Sequence, residues 1–159
     1  MAEAAATPPE QPASAAAPGT WVDPFRAYNF KLVIQGVTMG HFTECTGLGV
    51  RVHAIRYQEG GGHTVHRIPG PVDYADVTLR YGLTSSNELW QWFMKAVEGK
   101  VERRNVSILI LNPDDVTEAL RWDLINAWPS EWRGAPLDAL ARDVAIESVT
   151  LVYESIQRA

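Results

Sequence analysis

His63 and His66, three residues apart, are the first pair in this chain with the spacing of metal ligands. A structural zinc site needs four ligands, and a catalytic one needs three and an open position. No second His/Cys pair stands at a useful interval, and His41, His53 and Cys45 lie elsewhere in the sequence. The two imidazoles therefore read as polar contacts on an arm, and no metal site is expected. Gly60-Gly61-Gly62 has the composition of a phosphate cradle. Such cradles join a strand to a helix N-terminus and typically continue into Lys-Ser/Thr, whereas these glycines precede more extended chain. Asp73 with Asp76, and Asp114 with Asp115, are the carboxylate pairs available for acid–base work. Adjacent residues on a strand face opposite ways, and Asn112-Pro113-Asp114-Asp115 is turn chemistry. No serine sits in a nucleophile elbow. Cys45, the sole cysteine, has no evident partner base and reads as a small buried strand residue. These residues support neither an enzyme nor a cofactor site.

What remains is the element that carries the histidines. Residues 59–71 form a glycine-loosened, proline-studded arm that ends in Ile68-Pro69-Gly70-Pro71 and runs into a clean alternating strand. An arm of this length in a strand-rich chain is expected to be functional or disordered rather than a mere connection. Around it, Tyr28, Phe30, Leu32 and Ile34 alternate with polar residues, as on an antiparallel strand. Further strands are expected at 42–46, at 50–58, and from Val77 through Tyr81. Others follow at 106–111, from Leu120 to about Trp128-Pro129, and from Val144 to Glu154. Ser85-Ser86-Asn87-Glu88 has the form of a capping box. It opens a helix whose apolar face is Leu89, Trp90, Phe93 and Val97 and which Gly99 stops. About seven strands and one helix make a mainly β fold, an antiparallel barrel or sandwich with one flanking α-helix. Some of its strands are apolar on both faces, so another copy of the chain is expected to cover part of them.

Composition sets further bounds. A chain of 159 residues suffices for one domain. Residues 1–20, with eight Ala and four Pro, read as a disordered tail, leaving 21–159 as the folded domain. The net charge of −5 comes entirely from residues 113–159, with nine acidic and four basic side chains. Without a cluster of cations, a nucleic-acid-binding surface is not expected. No apolar run is long enough to span a bilayer. The N-terminus lacks the basic and hydrophobic regions of a signal peptide, so synthesis and assembly in the cytoplasm are expected. A single cysteine agrees with a reducing compartment. Six tryptophans provide anchors. Trp90 and Trp122 are expected in the core, with Trp21 and Trp132 at an interface.

Several segments, in register over residues 25–157, resemble one family. Phe25-Arg26-Ala27-Tyr28-Asn29-Phe30-Lys31-Leu32 resembles its opening strand. Phe42-Thr43-Glu44-Cys45-Thr46-Gly47-Leu48 resembles an F-x-E-x-S-G-L signature, with Thr46 in place of Ser. Ile68-Pro69-Gly70-Pro71 and the strand from Tyr74 to Gly82 follow, then the helix at Leu89-Trp90-Gln91-Trp92-Phe93. Asn126-Ala127-Trp128-Pro129-Ser130-Glu131-Trp132 and the stretch from Ala145 to Leu151 complete the set. The family is that of the inner tube proteins of contractile phage tails and contractile injection systems, similar in fold to the type VI secretion tube protein.

The resemblance implies a structural protein whose hexameric rings stack into a hollow tube inside a contractile sheath. The partners it implies are the chain itself, the sheath protein, a baseplate or spike hub, a tube terminator, and cargo protein or DNA in the lumen. No stable membrane insertion is implied. On that view Gly60, Gly61, Gly62, His63, Ile68, Pro69, Gly70 and Pro71 form the ring-to-ring contact. Trp21, Asp23, Pro24, Phe25 and Trp132 are further interface candidates, and the acidic bias of 113–159 is a candidate for the lumen face. The long Ala/Pro tail and the many tryptophans leave open a tube-initiating or baseplate-adaptor paralogue. A different class, a small ligand-binding β-barrel, would be a monomer with a lined cavity.

Overall fold

Alternating apolar and polar side chains build two antiparallel sheets that share a single strand. The computed structural model describes residues 24–35, 42–83, 85–114 and 116–159. The tail at 1–20 and the expected start of order at Trp21 to Asp23 lie outside the described residues. Nine strands and one helix follow in the order β1 (Phe30–Ile34), β2 (Phe42–Thr46), β3 (Val50–Tyr57), β4 (His66–Tyr74), β5 (Val77–Gly82), α1 (Glu88–Val97), β6 (Arg104–Leu111), β7 (Glu118–Arg133), β8 (Ile146–Val152) and β9 (Ser155–Arg158). The path through the main sheet is β1-β6-β7-β8-β5-β2, with β9 also on β7. The first half of β7 pairs with β6 and β9, and its second half with β8. The result is a sandwich rather than a closed barrel.

β7 was expected to end near Trp128-Pro129 but runs on to Arg133. It does so by changing layers at Asn126, whose φ of 54° is the one positive value at a non-glycine residue among those described. Asparagine tolerates this region better than most side chains. Here its amide donates to Glu154 Oε2 at 2.8 Å, while Asn105 Oδ1 accepts from its backbone N–H at 3.2 Å. Glu154 is held in turn by Arg103. Just beyond the kink, Pro129 is accommodated beside a register shift between Pro129 and Glu131, the sort of position at which a sheet accepts proline.

The inward faces meet in one core. Leu32, Ile34, Val106, Ile108 and Leu124 come from one layer; Val77, Leu79, Tyr81, Val149 and Leu151 come from the other. Helix α1 lies against β7 and adds Leu89 and Trp92. The helix face therefore differs from the one expected: Trp92 is 1% exposed and Trp90 is 40%. Leu89, Trp92, Phe93 and Ala96 repeat at i, i+3, i+4 and i+7, the spacing a buried helical face requires. Trp92 gains a bond that Trp90 lacks, from its indole N–H to the Glu102 carbonyl at 2.7 Å. Trp122 packs against the core from its edge. The capping box does not form: Asn87 is the N-cap and makes no side-chain cap bond, although its Oδ1 accepts from Gln91 Nε2 at 3.2 Å. Gly99, at φ +79°, ends the helix as expected.

A hydrogen-bonded carboxylate ties β6 to β7. Asp123 accepts from the Ser107 hydroxyl at 2.5 Å and from Arg121 Nε at 2.8 Å. These two contacts, the hydroxyl first, hold its pKa below the ordinary carboxylate range. A depressed folded-state pKa stabilises the protein above the unfolded value of about 3.9, and that stability disappears as pH falls through the folded value. Asp123→Asn should therefore melt below the parent from pH 5 to pH 8, and the gap should close in acid. Melting curves from strong acid up to pH 8 check it.

Candidate assembly surfaces

The arm is more ordered than its composition suggests. Its second half is β4, which pairs with β3 in an antiparallel ribbon separate from the main sheet. At eight residues and a rise of about 3.3 Å each, β3 alone spans about 26 Å. The base is anchored by Ala75 N donating to Gly49 O at 2.9 Å and by the Tyr153 hydroxyl donating to the same carbonyl at 3.3 Å. Gly60, Gly61 and Gly62 form the tip, where Gly62 N donates to Glu59 O and Gln58 Nε2 donates to Gly62 O. His63 lies just beyond the tip and His66 opposite Tyr57, both exposed. Among the described residues no three His, Cys, Asp or Glu side chains gather as a metal site would require.

The register explains why this segment is not cleanly one-sided. Val52 pairs with Val72, but Ala54 pairs with Pro69, so Gly70 and Pro71 together oppose His53. This bulge puts the extra residue on β4. Near the base, Val50, Val52 and Val72 share one face. Beyond the bulge the apolar residues Ile55, Tyr57 and Ile68 occupy the other face, while Pro69 sits opposite Ala54 on the first. All six of these Val, Ile and Tyr residues are about half exposed. Pro71 falls in the bulge, where a strand tolerates proline. A Cβ on Gly70 would lie 2.6 Å from the His53 carbonyl and 2.9 Å from Ile55 Cγ1. Gly70→Ala should consequently leave the melting of the sandwich unchanged while loosening the ribbon. Hydrogen exchange should rise at least about tenfold at amides of β3 and β4 and nowhere else.

Pro24 and Phe25 stand at the approach to β1. With Arg26, Asn29, Leu111, Asn112 and Pro113 they line a cavity of about 170 Å³. Phe25 is more than half exposed, and Asn29 Nδ2 secures this corner by donating to Asn112 O at 2.8 Å. Trp132 packs within its own chain, edge to face against Trp90 at 4.7 Å between ring centroids. Among the described residues its buried indole N–H finds no hydrogen-bond partner. Trp21 and Asp23 lie outside the described residues.

The outward face of the β2–β5–β8–β7 layer has a different chemistry. Glu44 pairs with Arg80 at 3.0 Å and Glu131 with Arg133 at 2.7 Å, while the Thr78 and Thr150 hydroxyls meet at 3.3 Å. Its charges balance. The acidic residues of 113–159 are spread over both layers and the turns, and Asp123, Glu131 and Glu154 have arginine partners. Between β1 and β2 lies an open groove lined by Phe30, Cys45, Leu48, Ile108, Ile110 and Trp122. Burial there pushes the Cys45 thiol up to about 11. No helix among the described residues is long and apolar enough to cross a membrane.

A sandwich with a half-exposed apolar ribbon has the shape of a subunit built for assembly. Residues 26–157 match the family of the T4-like virus tail tube protein gp19, and the chain belongs to that family: it is a structural tube protein. No curated protein matches it. Among solved structures, it is similar to a chain of the extended PVC sheath–tube complex of an extracellular contractile injection system. That match has a TM-score of 0.77 and 24% identity, covering 86% of this chain and 91% of the other. A chain of the extended PVC sheath/tube terminator gives 0.81 at 23% identity, covering 88% and 99%. A type six secretion system protein shares the fold more distantly, at 0.55 and 12% identity, covering 83% of each chain.

Proposed function

We propose that this protein forms the inner tube of a contractile phage tail or injection particle, as hexameric rings stacked through the β3–β4 ribbon. The observation that carries this reading is the ribbon itself. A two-stranded hairpin is at best marginally stable alone in water, and this one holds Val50, Val52, Ile55, Tyr57, Ile68 and Val72 half in solvent. Covering each fully would contribute about 1 kcal/mol, a gain that docking on another copy would supply. Gly60 to His63 and Ile68 to Pro71 then lie in the contact between rings. Pro24, Phe25 and Trp132, with Trp21 and Asp23, lie at or near contacts between subunits.

In this assembly the sheath surrounds the tube, a baseplate hub begins it and a terminator ends it. The subunit is made and assembled in the cytoplasm and becomes part of the particle. The balanced, hydroxyl-rich face around Arg80 and Thr150 suits a lumen wall, because it offers a passing protein or DNA no excess of either charge to bind.

Negative-stain electron microscopy of the purified protein over a range of concentrations tests this directly. Rings and tubes of uniform diameter are expected. A strict monomer at high concentration would overturn self-assembly and favour a baseplate-dependent initiator or a ligand-binding barrel.

A further inference from the structure

β3 and β4 pack chiefly against each other, and every residue of β3 is exposed. The two faces of this ribbon differ in chemistry. On the face of Ile55 and Ile68 the charges sit near the base and answer one another. Arg51 is the cross-strand partner of Asp73, and His53 Nε2 lies 3.8 Å from the same carboxylate. The first face runs the other way. Val52 with Val72 and Ala54 with Pro69 are followed by Arg56, whose cross-strand partner is Arg67.

Like charges directly opposite weaken a strand pair, so this position costs the ribbon stability in the free subunit. Side chains so placed start about 5 Å apart, which sets two guanidinium groups side by side. Both arginines are exposed, and among the described residues neither forms an ion pair. The ribbon's own carboxylates do not serve them. Asp73 is on the other face at the base, and Glu59, at the tip, pairs with neither. Two guanidinium groups held this close make a receptor for a carboxylate, which accepts from both and removes their repulsion.

Charge complementarity points to the chain itself as the source of that carboxylate. Residues 50–74 carry three arginines against Glu59 and Asp73, a net charge of +1 with neutral histidines. The whole chain carries −5, so the rest carries −6. There Glu88, Glu98, Glu118 and Asp143 are exposed and form no ion pair among the described residues. Within one subunit none of them meets Arg56, which stands six residues past Val50, about 20 Å along the strand. A nucleic acid is a poorer fit. Arg51 is answered by Asp73, and two remaining arginines do not make the stripe of cations a phosphate backbone needs.

We infer that Arg56 and Arg67 of one copy together bind a carboxylate on the body of a second copy. A repulsion felt in the free subunit and relieved in the assembly favours the assembled state. This contact rests on the tube reading, in which the ribbon joins rings, and names the chemistry of that joint on the ribbon's first face.

The full chain with Arg56→Glu and Arg67→Glu tests it. The variant keeps a like-charged pair at the same position, so its melting and the hydrogen exchange of β3 and β4 should match the parent. Assembly, read by light scattering and electron microscopy, should need about 100-fold more protein. Tubes at the parent's concentration would make this contact wrong and leave the tube reading standing. If the parent forms no rings or tubes, both fall. Cross-linking reads the partner. A ¹⁵N-labelled chain with Arg56→Lys and Arg67→Lys is mixed into ¹⁴N parent before assembly, and a carbodiimide then joins lysine amines to carboxylates in direct contact. Amide bonds from positions 56 or 67 of labelled chains to Asp or Glu of unlabelled chains are expected. Bonds only within one chain, to Glu59 or any other carboxylate, or none at all, overturn the inference.

Discussion

With Ile55 replaced by lysine and Ile68 by glutamate, the protomer is expected to melt with the parent and to build no tubes at concentrations where the parent does. Ile55 and Ile68 are direct cross-strand partners beyond the bulge. An opposite-charge pair at such a position supports pairing within the ribbon, so the change acts on what the ribbon touches. Each isoleucine has about half of its surface still to cover. Losing both removes about 2 kcal/mol per contact and leaves two charges to be desolvated in its place, at further cost. In the proposed hexameric ring that penalty would recur at every subunit. Light scattering and electron microscopy read the assembly, and circular dichroism the melting. Normal tubes from the double variant would remove the distal ribbon from the contact between rings.

The largest expected effect on the protomer itself is at Trp92. Its ring is buried under α1, its indole N–H bonds the Glu102 carbonyl, and the Arg104 guanidinium lies 5.3 Å from the ring centroid. Trp92→Ala leaves a cavity and an unpaired carbonyl, a loss of about 3–5 kcal/mol. For a domain of this size that lowers the melting temperature by about 10–15 °C. Trp90→Ala, on the exposed side of the same helix, should cost about 1 kcal/mol. Equal losses at the two positions, measured by urea denaturation, would contradict the assignment of the buried face.

Period-two patterns made much of this fold legible. Leu32 with Ile34, Val77 with Leu79 and Tyr81, and Val149 with Leu151 are buried on the faces their alternation marks. The helix was legible in extent but not in face. Its sequence offers five aromatic or aliphatic residues in a row of six from Leu89 to Met94, and only the i+3/i+4 relation of Leu89 to Trp92 and Phe93 separates the buried ones. β4 was hidden because Pro69, Gly70 and Pro71 look like loop chemistry, yet a bulge on a two-stranded ribbon accommodates all three. The continuation of β7 was hidden in the same way by Pro129, beyond a kink at Asn126 that no alternation rule marks. The exposed apolar side chains were the least legible. Exposure at Leu137 and Leu140 depends on which neighbours the fold withholds from them, and no local pattern records that.

The passage of β7 from one layer to the other at Asn126 bears on how the subunit responds to force. Where two layers meet through interdigitating side chains and connecting loops, a push along one layer can slide it over the other. Here a push on the β8 layer passes along the covalent backbone of β7 into the β6 and β9 layer, and the ladder bonds on either side take it up in shear. The side chain of Asn126, bonded to Glu154, which Arg103 holds in turn, acts as a gusset at the bend. In the proposed tube, that makes each subunit a single beam rather than two loosely stacked plates.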